Sequence, residues 1–419
     1  MLPAETASPL SYRRILNTWW PLAASWLLMG IELPALSAVM ARLPNPAINL
    51  AAYGGIVFPL ALIIESPVIM LLAASTALSK DYPSYQLSRR FMLVSAAALT
   101  GLHVLIAFTP IYYFVAEQLL GAPEVIVEPG RIGLIIMTPW TASIAYRRFN
   151  QGVMIRYNHS EKVGIGTVVR LVADLIVLFV GYSIGTIEGI IVATCAVSAG
   201  VMSEAIYSGI AVRPLVKNLV MKMELIKSVL TMKAFLEFYF PLVLTSLLTL
   251  LVQPIGSAAL SRMPIALASL AVWPVLSGLT FMFRSIGVAF NEVVVALLEE
   301  PLSTQRLRRF TIFLTGTTTL VIMLVALTPL SRLWFQVISG LEPELAGMAV
   351  IGLAIGIPTA GLSVLQSWFQ GLLLHGSRTR AITEAVVLFL VSCSALLWIG
   401  VTWGQYTGLF WAMASFTAA

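Results

Sequence analysis

The sequence predicts an all-α polytopic membrane protein of about 12 transmembrane helices, in two parallel six-helix bundles related by a pseudo-two-fold along the membrane normal. Three observations lead there: an apolar composition, a one-sided distribution of Lys and Arg, and an internal repeat. Of the 419 residues, 59% are hydrophobic and 11% charged, with a mean hydropathy of +0.92. Soluble domains carry about 25% charged residues, so this chain cannot cover itself with polar surface.

A bilayer core takes about 20 apolar residues per helix. Apolar runs between polar breaks place spans at 15–41, 49–78, 90–117, 131–156, 162–185 and 187–212. A second set follows at 232–262, 265–298, 309–335, 344–374, 380–401 and 405–419. The first run is too long for a signal-peptide core and is expected to be retained. The last is short, so the twelfth span is expected to be incomplete. The organisation predicted is a cytoplasmic N-terminus (1–14), an N-lobe of spans 1–6 (15–212), a cytoplasmic amphipathic linker (213–231) and a C-lobe of spans 7–12 (232–419). In the linker, Lys and Arg alternate with Leu, Val, Met and Ile, as in an interfacial segment.

Orientation follows from the 25 Lys and Arg residues. With the N-terminus inside, seventeen fall in inner segments and four (Arg42, Arg131, Arg262, Arg332) in outer ones. The other four, Arg147, Arg148, Arg170 and Arg284, lie inside spans. The expected location is a bacterial cytoplasmic (inner) membrane with the N-terminus inside. The net charge of +6 resides in short loops and not on one face, which excludes nucleic acid as a partner. Cys195 and Cys393 sit in apolar runs and imply no disulfide framework. No phosphate-binding loop is present, so the chain carries no ATPase of this kind. No H-E-x-x-H occurs and the three histidines fall on separate segments. The expectation is no enzyme, no cofactor and no metal.

The repeat organises these spans. WWPLAASWLL (19–28) resembles YFPLVLTSLL (239–248) at an offset of 220, which also superposes Pro34 on Pro254, Arg42 on Arg262 and Pro44 on Pro264. At an offset of 219, RRF (89–91) meets RRF (308–310), Thr109-Pro110 meets Thr328-Pro329, Pro139 meets Pro358, and Gln151-Gly152 meets Gln370-Gly371. Six spans per half give both halves the same orientation. Parallel repeats of this kind belong to transporters with a midplane substrate site between halves.

Intramembrane charges are functional candidates, because each is expensive in lipid. Arg284 sits near the middle of span 8, and the 219 offset pairs it with Glu65 of span 2. One reading makes Arg284 a binder of anionic carboxylate or phosphate, with Glu65 its counter-ion; the other makes them a fixed ion pair. Glu32 precedes Pro34 by two residues, where a bend opens room for a coupling carboxylate or for a fixed, protonated one. Span 4 carries Arg147, Arg148 and Gln151. Helical geometry turns the two arginines about 100° apart, so one faces inward and the other snorkels, or both anchor headgroups. Gln370 and Gln366 stand at the repeat positions of Gln151 and Arg147. Glu292, beside Asn291, is a gate candidate. Arg170 and Asp174, spaced i, i+4 on span 5, read as a structural ion pair.

Several segments resemble the progressive ankylosis protein family: WWPLAASWLL, LAAYG (50–54), HVLIAFTPIYYFVAEQLLG (103–121), and QGVMIRY (151–157) followed by Asp174. With the prolines of spans 1 and 7, the chain is similar to the wider multidrug and oligosaccharidyl-lipid exporter (MATE-like) superfamily. The resemblance implies alternating access, a central cleft lined by spans 2 and 8, and export of small organic or phosphate anions such as citrate or pyrophosphate. The predicted function is therefore a secondary-active anion exporter, with substrate contacts at Arg284, Glu65, Arg147, Gln151 and Gln370 and coupling or gating at Glu32 and Glu292. The expected partners are a small anion, membrane lipids and a coupling proton or sodium ion, and the expected state is a monomer. The alternatives are a MATE-type cationic drug antiporter, which Glu32 and Glu65 would suit, and a flippase for a lipid-linked intermediate.

Overall fold

A computed structural model describes residues 10–218, 220–222, 230–298, 303–376 and 378–419. Among them every regular element is a helix and no strand occurs. The spans are Tyr12–Met40, Pro46–Leu78, Tyr82–Phe108, then span 4 as Glu124–Ile136 plus Thr138–Arg156, followed by Ser160–Ile184 and Gly189–Asn218. Spans 7 to 12 are Met232–Arg262, Ala266–Leu297, Ser303–Leu327, Pro343–Ile355 bent by 42° into Pro358–His375, Arg380–Trp403 and Gly408–Ala418. Nine are each long and apolar enough to cross a bilayer, and the bent pair makes up to ten among the described residues. Span 4 is not among them, and span 12 is a shorter apolar helix.

Two expected boundaries are corrected. Span 3, expected at 90–117, runs from Tyr82 to Phe108. Asp81 caps its start by accepting from the Ser84 amide at 2.9 Å, with Pro83 in the first turn, where no backbone donor is required. Its end is set by Thr109-Pro110: the residue before a proline is pushed into extended backbone, and Thr109 has φ −116°, ψ 168°. Span 9, expected at 309–335, runs from Ser303 to Leu327 and stops before Thr328-Pro329 for the same reason. The predicted linker falls largely outside the described residues: the span 6 helix continues to Asn218, Val220–Lys222 forms one tight turn, and Leu219 and 223–229 are not described. Of the predicted N-terminal segment, 1–9 lie outside them too.

The repeat is visible in element boundaries. Tyr12–Gly30 and Met232–Leu250 are offset by 220, whereas Glu124–Ile136 and Pro343–Ile355 are offset by 219. The change occurs within span 2. There Tyr53–Val57 forms a π-helical turn, while span 8 runs as unbroken α-helix from Ala266 to Val288. A π turn holds an extra residue inside a helix, and one residue is the discrepancy. Beyond it the register is 219: span 2 breaks at Met70 and span 8 at Ala289. Glu65 and Arg284 thus occupy equivalent positions, each thirteen residues before the end of its span, or about 20 Å along the helix.

The chain folds as two compact units. One comprises the chain up to Ala38, Val272–Val391 and Leu409–Ala419; the other comprises Val39–Ala271 and Ser392–Gly408. In the first, Leu10, Ile15, Phe290, Val293, Phe310 and Trp368 belong to one buried cluster, and Trp19 donates to the Ile286 carbonyl at 3.1 Å. In the second, close helix approach depends on missing side chains. A Cβ on Gly152 would lie 1.9 Å from the Ser75 hydroxyl and 2.3 Å from the Leu72 carbonyl oxygen. A Cβ on Gly200 would lie 1.8 Å from a carboxylate oxygen of Asp174. Spans 2 and 4, and spans 5 and 6, meet at these points.

Candidate functional site

The second unit holds a buried charged network on four spans. Span 4 supplies Trp140, Arg147, Arg148 and Gln151; span 2 supplies Glu65; span 5 supplies Arg170 and Asp174; span 6 supplies Glu204. Arg147 is 5% exposed and donates through Nη1 to Glu204 Oε2 at 2.6 Å, with Glu204 itself at 0%. Gln151 Nε2 donates to the other oxygen of Glu204 at 2.8 Å. Glu204 thus accepts from two side chains one helical turn apart on span 4, and this ties spans 4 and 6 together.

Glu65 is buried and accepts a short hydrogen bond from the Trp140 indole N–H. Arg147, Arg148 and Arg170 all lie close enough for their charges to act on its carboxylate. Arg170 and Asp174 approach to 4.0 Å, and the Arg170 guanidinium carbon lies 6.0 Å from the Trp140 ring centre. Three cations and three carboxylates therefore share one bundle interior. Arg148 differs from the other two arginines in one respect: among the described residues of its unit no carboxylate pairs with it.

His103 on span 3 belongs to the scaffold. Its Nε2 meets the Leu134 carbonyl at 2.8 Å and its Nδ1 the Thr141 hydroxyl at 3.3 Å. The span 4 helix breaks after Ile136, before Pro139, so Leu134 has lost its usual helical donor and His103 takes that place.

The sequence-predicted residues separate into two groups. Glu65, Arg147, Gln151, Arg170 and Asp174 gather in the network. Arg284, Glu292 and Gln370 lie in the other unit, as does Glu32. Arg284 is exposed, and in its own unit no described carboxylate pairs with it. Glu32 opens the second helix of span 1, just past the break at Ile31 that Pro34 imposes by leaving Gly30 without its i+4 donor. Gln370 accepts from Asn291 Nδ2 at 3.3 Å, and Glu292 is exposed. Sequence reasoning left Glu204 without a role and did not single out Trp140. The rule that an acid inside an apolar span needs a partner was the available signal for Glu204; nothing local marks Trp140.

Neither a family model nor a curated relative matches the sequence, so the ankylosis-family resemblance rests on the quoted segments alone. Solved structures do match over nearly the whole chain. An inward-facing multidrug resistance MATE family transporter of the MOP superfamily aligns with a TM-score of 0.65 at 13% identity, covering 94% of both chains. The lipid II flippase MurJ, in an inward closed conformation, aligns at 0.69 and 15%, covering 94% of this chain and 85% of its own. A MOP superfamily transporter from Pyrococcus furiosus, in which reverse polarity of the binding pocket suggests a different function, aligns at 0.56 and 14%, covering 96% and 93%. This multi-pass, all-helical membrane protein therefore has the fold of the MATE-like MOP superfamily transporters.

Proposed function

We propose that the chain is a secondary-active, alternating-access exporter of small organic or phosphate anions, citrate- or pyrophosphate-like, in a bacterial inner membrane with its N-terminus inside. One observation carries the reading: Arg284 is an exposed guanidinium at mid-span with no carboxylate paired to it among the described residues of its unit. A guanidinium does not deprotonate and offers a planar fork of donors suited to carboxylate and phosphate. Left unpaired in a lipid-facing position it is costly; on a hydrated substrate path the anion supplies its partner. The Pyrococcus furiosus protein supports the reading, since it is a case in which pocket polarity differs within this fold. Absence of a P-loop leaves the coupling to an ion gradient, proton or sodium, with Glu32 and Glu292 as gating candidates.

The test is uptake of labelled citrate and pyrophosphate into proteoliposomes under an imposed pH gradient. Native uptake that disappears in a folded Arg284→Ala variant supports both the anion and the residue. Undiminished uptake in that variant keeps anion transport and removes Arg284 from the path. No uptake of either anion by folded native protein overturns the reading and puts a cationic drug or a lipid-linked cargo in its place.

A further inference from the structure

We infer that a groove on the exposed face of spans 3, 4 and 6 holds an acyl chain of an anionic glycerophospholipid, whose phosphate is taken by Arg89 and Arg213 at one end of the groove. This concerns the surface turned to the bilayer and does not depend on what the protein transports.

The groove has a volume of about 330 Å³, within the ~300–1,000 Å³ common for small-molecule sites. Ala96, Ala142 and Ala205 form its floor, one from each span, and Leu93, Met202 and Ile206 stand beside it as exposed walls. Small side chains between bulky ones leave a channel. Its lining residues all belong to membrane-spanning helices, so the occupant that matches its walls is hydrocarbon.

Polar groups gather at one end of this channel. On span 3, Arg89 precedes Met92, Leu93 and Ala96 by three, four and seven residues, the spacing of one helix face. On span 6, Arg213 follows Ile206 by seven residues and Met202 by eleven, again one face, and Lys217 comes a turn later. Tyr146 lines the groove from span 4, and its hydroxyl reaches Gly209, between Ile206 and Arg213: a Cβ on that glycine would stand 2.6 Å from it. Arg89, Arg213 and Lys217 are exposed, and among the described residues no carboxylate pairs with them. Residues 82–108 and 205–218 hold Arg89, Arg90, Arg213 and Lys217 but no Asp or Glu. The charge at this end is uncompensated.

Depth matches a lipid as well. Arg89 lies about 10 Å along the helix from Tyr82, and Arg213 about 8 Å from Asn218. Span 3, with 27 residues, is about 40 Å long against a hydrocarbon core of about 30 Å. Both arginines therefore start just inside the hydrocarbon and extend outward to the phosphate level, while the groove runs from them toward the midplane. A phospholipid has this polarity, with its anion at the end of its chain. A second copy docked face to face would instead set like charges against Arg89 and Arg213. On the orientation proposed above, the leaflet concerned is the cytoplasmic one, where anionic headgroups attract basic side chains.

The experiment is native mass spectrometry of the full chain in detergent, titrated with phosphatidylglycerol or phosphatidylcholine of identical chains. The proteins compared are native, the Arg89→Gln/Arg213→Gln double variant, Ala142→Leu, the Leu93→Ala/Ile206→Ala double variant and Arg308→Gln, each confirmed monodisperse. Native protein should bind one phosphatidylglycerol at least tenfold more tightly than phosphatidylcholine. The double arginine variant should lose that preference, binding phosphatidylglycerol roughly 25-fold more weakly at about fivefold per basic residue. Ala142→Leu fills the floor and should weaken both lipids. Leu93→Ala/Ile206→Ala trims only exposed walls, should weaken both as well, and covers the case in which the leucine variant does not fold. Arg308→Gln, at the repeat position of Arg89, should bind as native does. Equal affinity of native protein for the two lipids, or a preference that survives in the double arginine variant, overturns the inference. So does an equal loss in Arg308→Gln, which would mean nonspecific attraction to basic residues. Phosphatidylglycerol binding undiminished in both groove variants removes the acyl-chain site. A concentration-dependent dimer that Ala142→Leu dissolves assigns the groove to a second copy and overturns the inference too.

Discussion

Removing Glu204 should destabilise the protein more than removing Arg147, although the two make the same 2.6 Å contact. Both are buried, at 0% and 5% exposure. Breaking a buried pair from one side costs about 3–5 kcal/mol, because it strands the other charge. The stranded charges differ. In Glu204→Met, Arg147 remains as a cation that cannot shed its proton, beside Arg148 and Arg170. In Arg147→Met, Glu204 keeps the Gln151 donor at 2.8 Å and can neutralise itself by taking up a proton. The first variant should sit at the upper end of that range and the second nearer ~2 kcal/mol, the scale of one hydrogen bond to a charged group. The double variant removes both charges and should recover much of the loss, with a coupling of about 1–3 kcal/mol. Unfolding in mixed micelles, followed by tryptophan fluorescence, measures all four proteins. Additive losses, or a larger loss for Arg147→Met than for Glu204→Met, would refute the assignment of Glu204 as the counter-charge.

Three further outcomes can be measured. Gly152→Ala should cost ~1–3 kcal/mol by overpacking; adding Ser75→Gly should rescue it only in part, because the Leu72 carbonyl oxygen still stands 2.3 Å from the new methyl. His103→Leu should lower thermal stability by ~1–3 kcal/mol, since the Leu134 carbonyl loses its donor; unchanged stability would count against that bracing role. Deleting Gly55 should turn the π turn at Tyr53–Val57 into ordinary helix and rotate residues 46–52 by about 100° relative to Glu65. Loss of monodisperse protein is expected, and normal yield with intact binding would show that the extra residue is dispensable.

Much of the fold was legible because membrane segments announce themselves by length and apolarity, and the bend expected beside Pro34 falls at the break at Ile31. Hydropathy alone then extended spans 3 and 9 too far, since residues 111–117 and 330–335 are apolar as well. The Thr-Pro steps carry the stop signal, and it is a backbone signal, not a hydropathic one. The shift of register through span 2 also had a backbone cause, the π turn, which composition does not reveal. In the site, Arg147 and Arg148 were conspicuous as charges in an apolar run. Their division of labour was not. Which arginine meets Glu204 depends on how spans 4 and 6 are rotated against each other, and residues 57 apart share no local pattern.

The repeat makes the network's meaning sharper, because the other half of the chain shows what the same scaffold does without it. At the 219 register, Trp140, Arg147, Arg148, Arg170 and Asp174 correspond to Thr359, Gln366, Ser367, Phe389 and Cys393, all uncharged. A buried charge without its partner is worse than no charge, so such residues are kept or lost as a set. The second half is neutral at all five of these positions and yet has arginine where the first half has Glu65. Arg284 therefore belongs to a half in which the positions equivalent to Trp140 and Asp174 hold neither an indole nor a carboxylate, and among the described residues of its unit no carboxylate pairs with it. A scaffold that tolerates a neutral interior has no structural need for that guanidinium. On the proposed reading an anion that arrives and leaves is its partner, and loss of anion uptake in a folded Arg284→Ala variant is the result that reading requires.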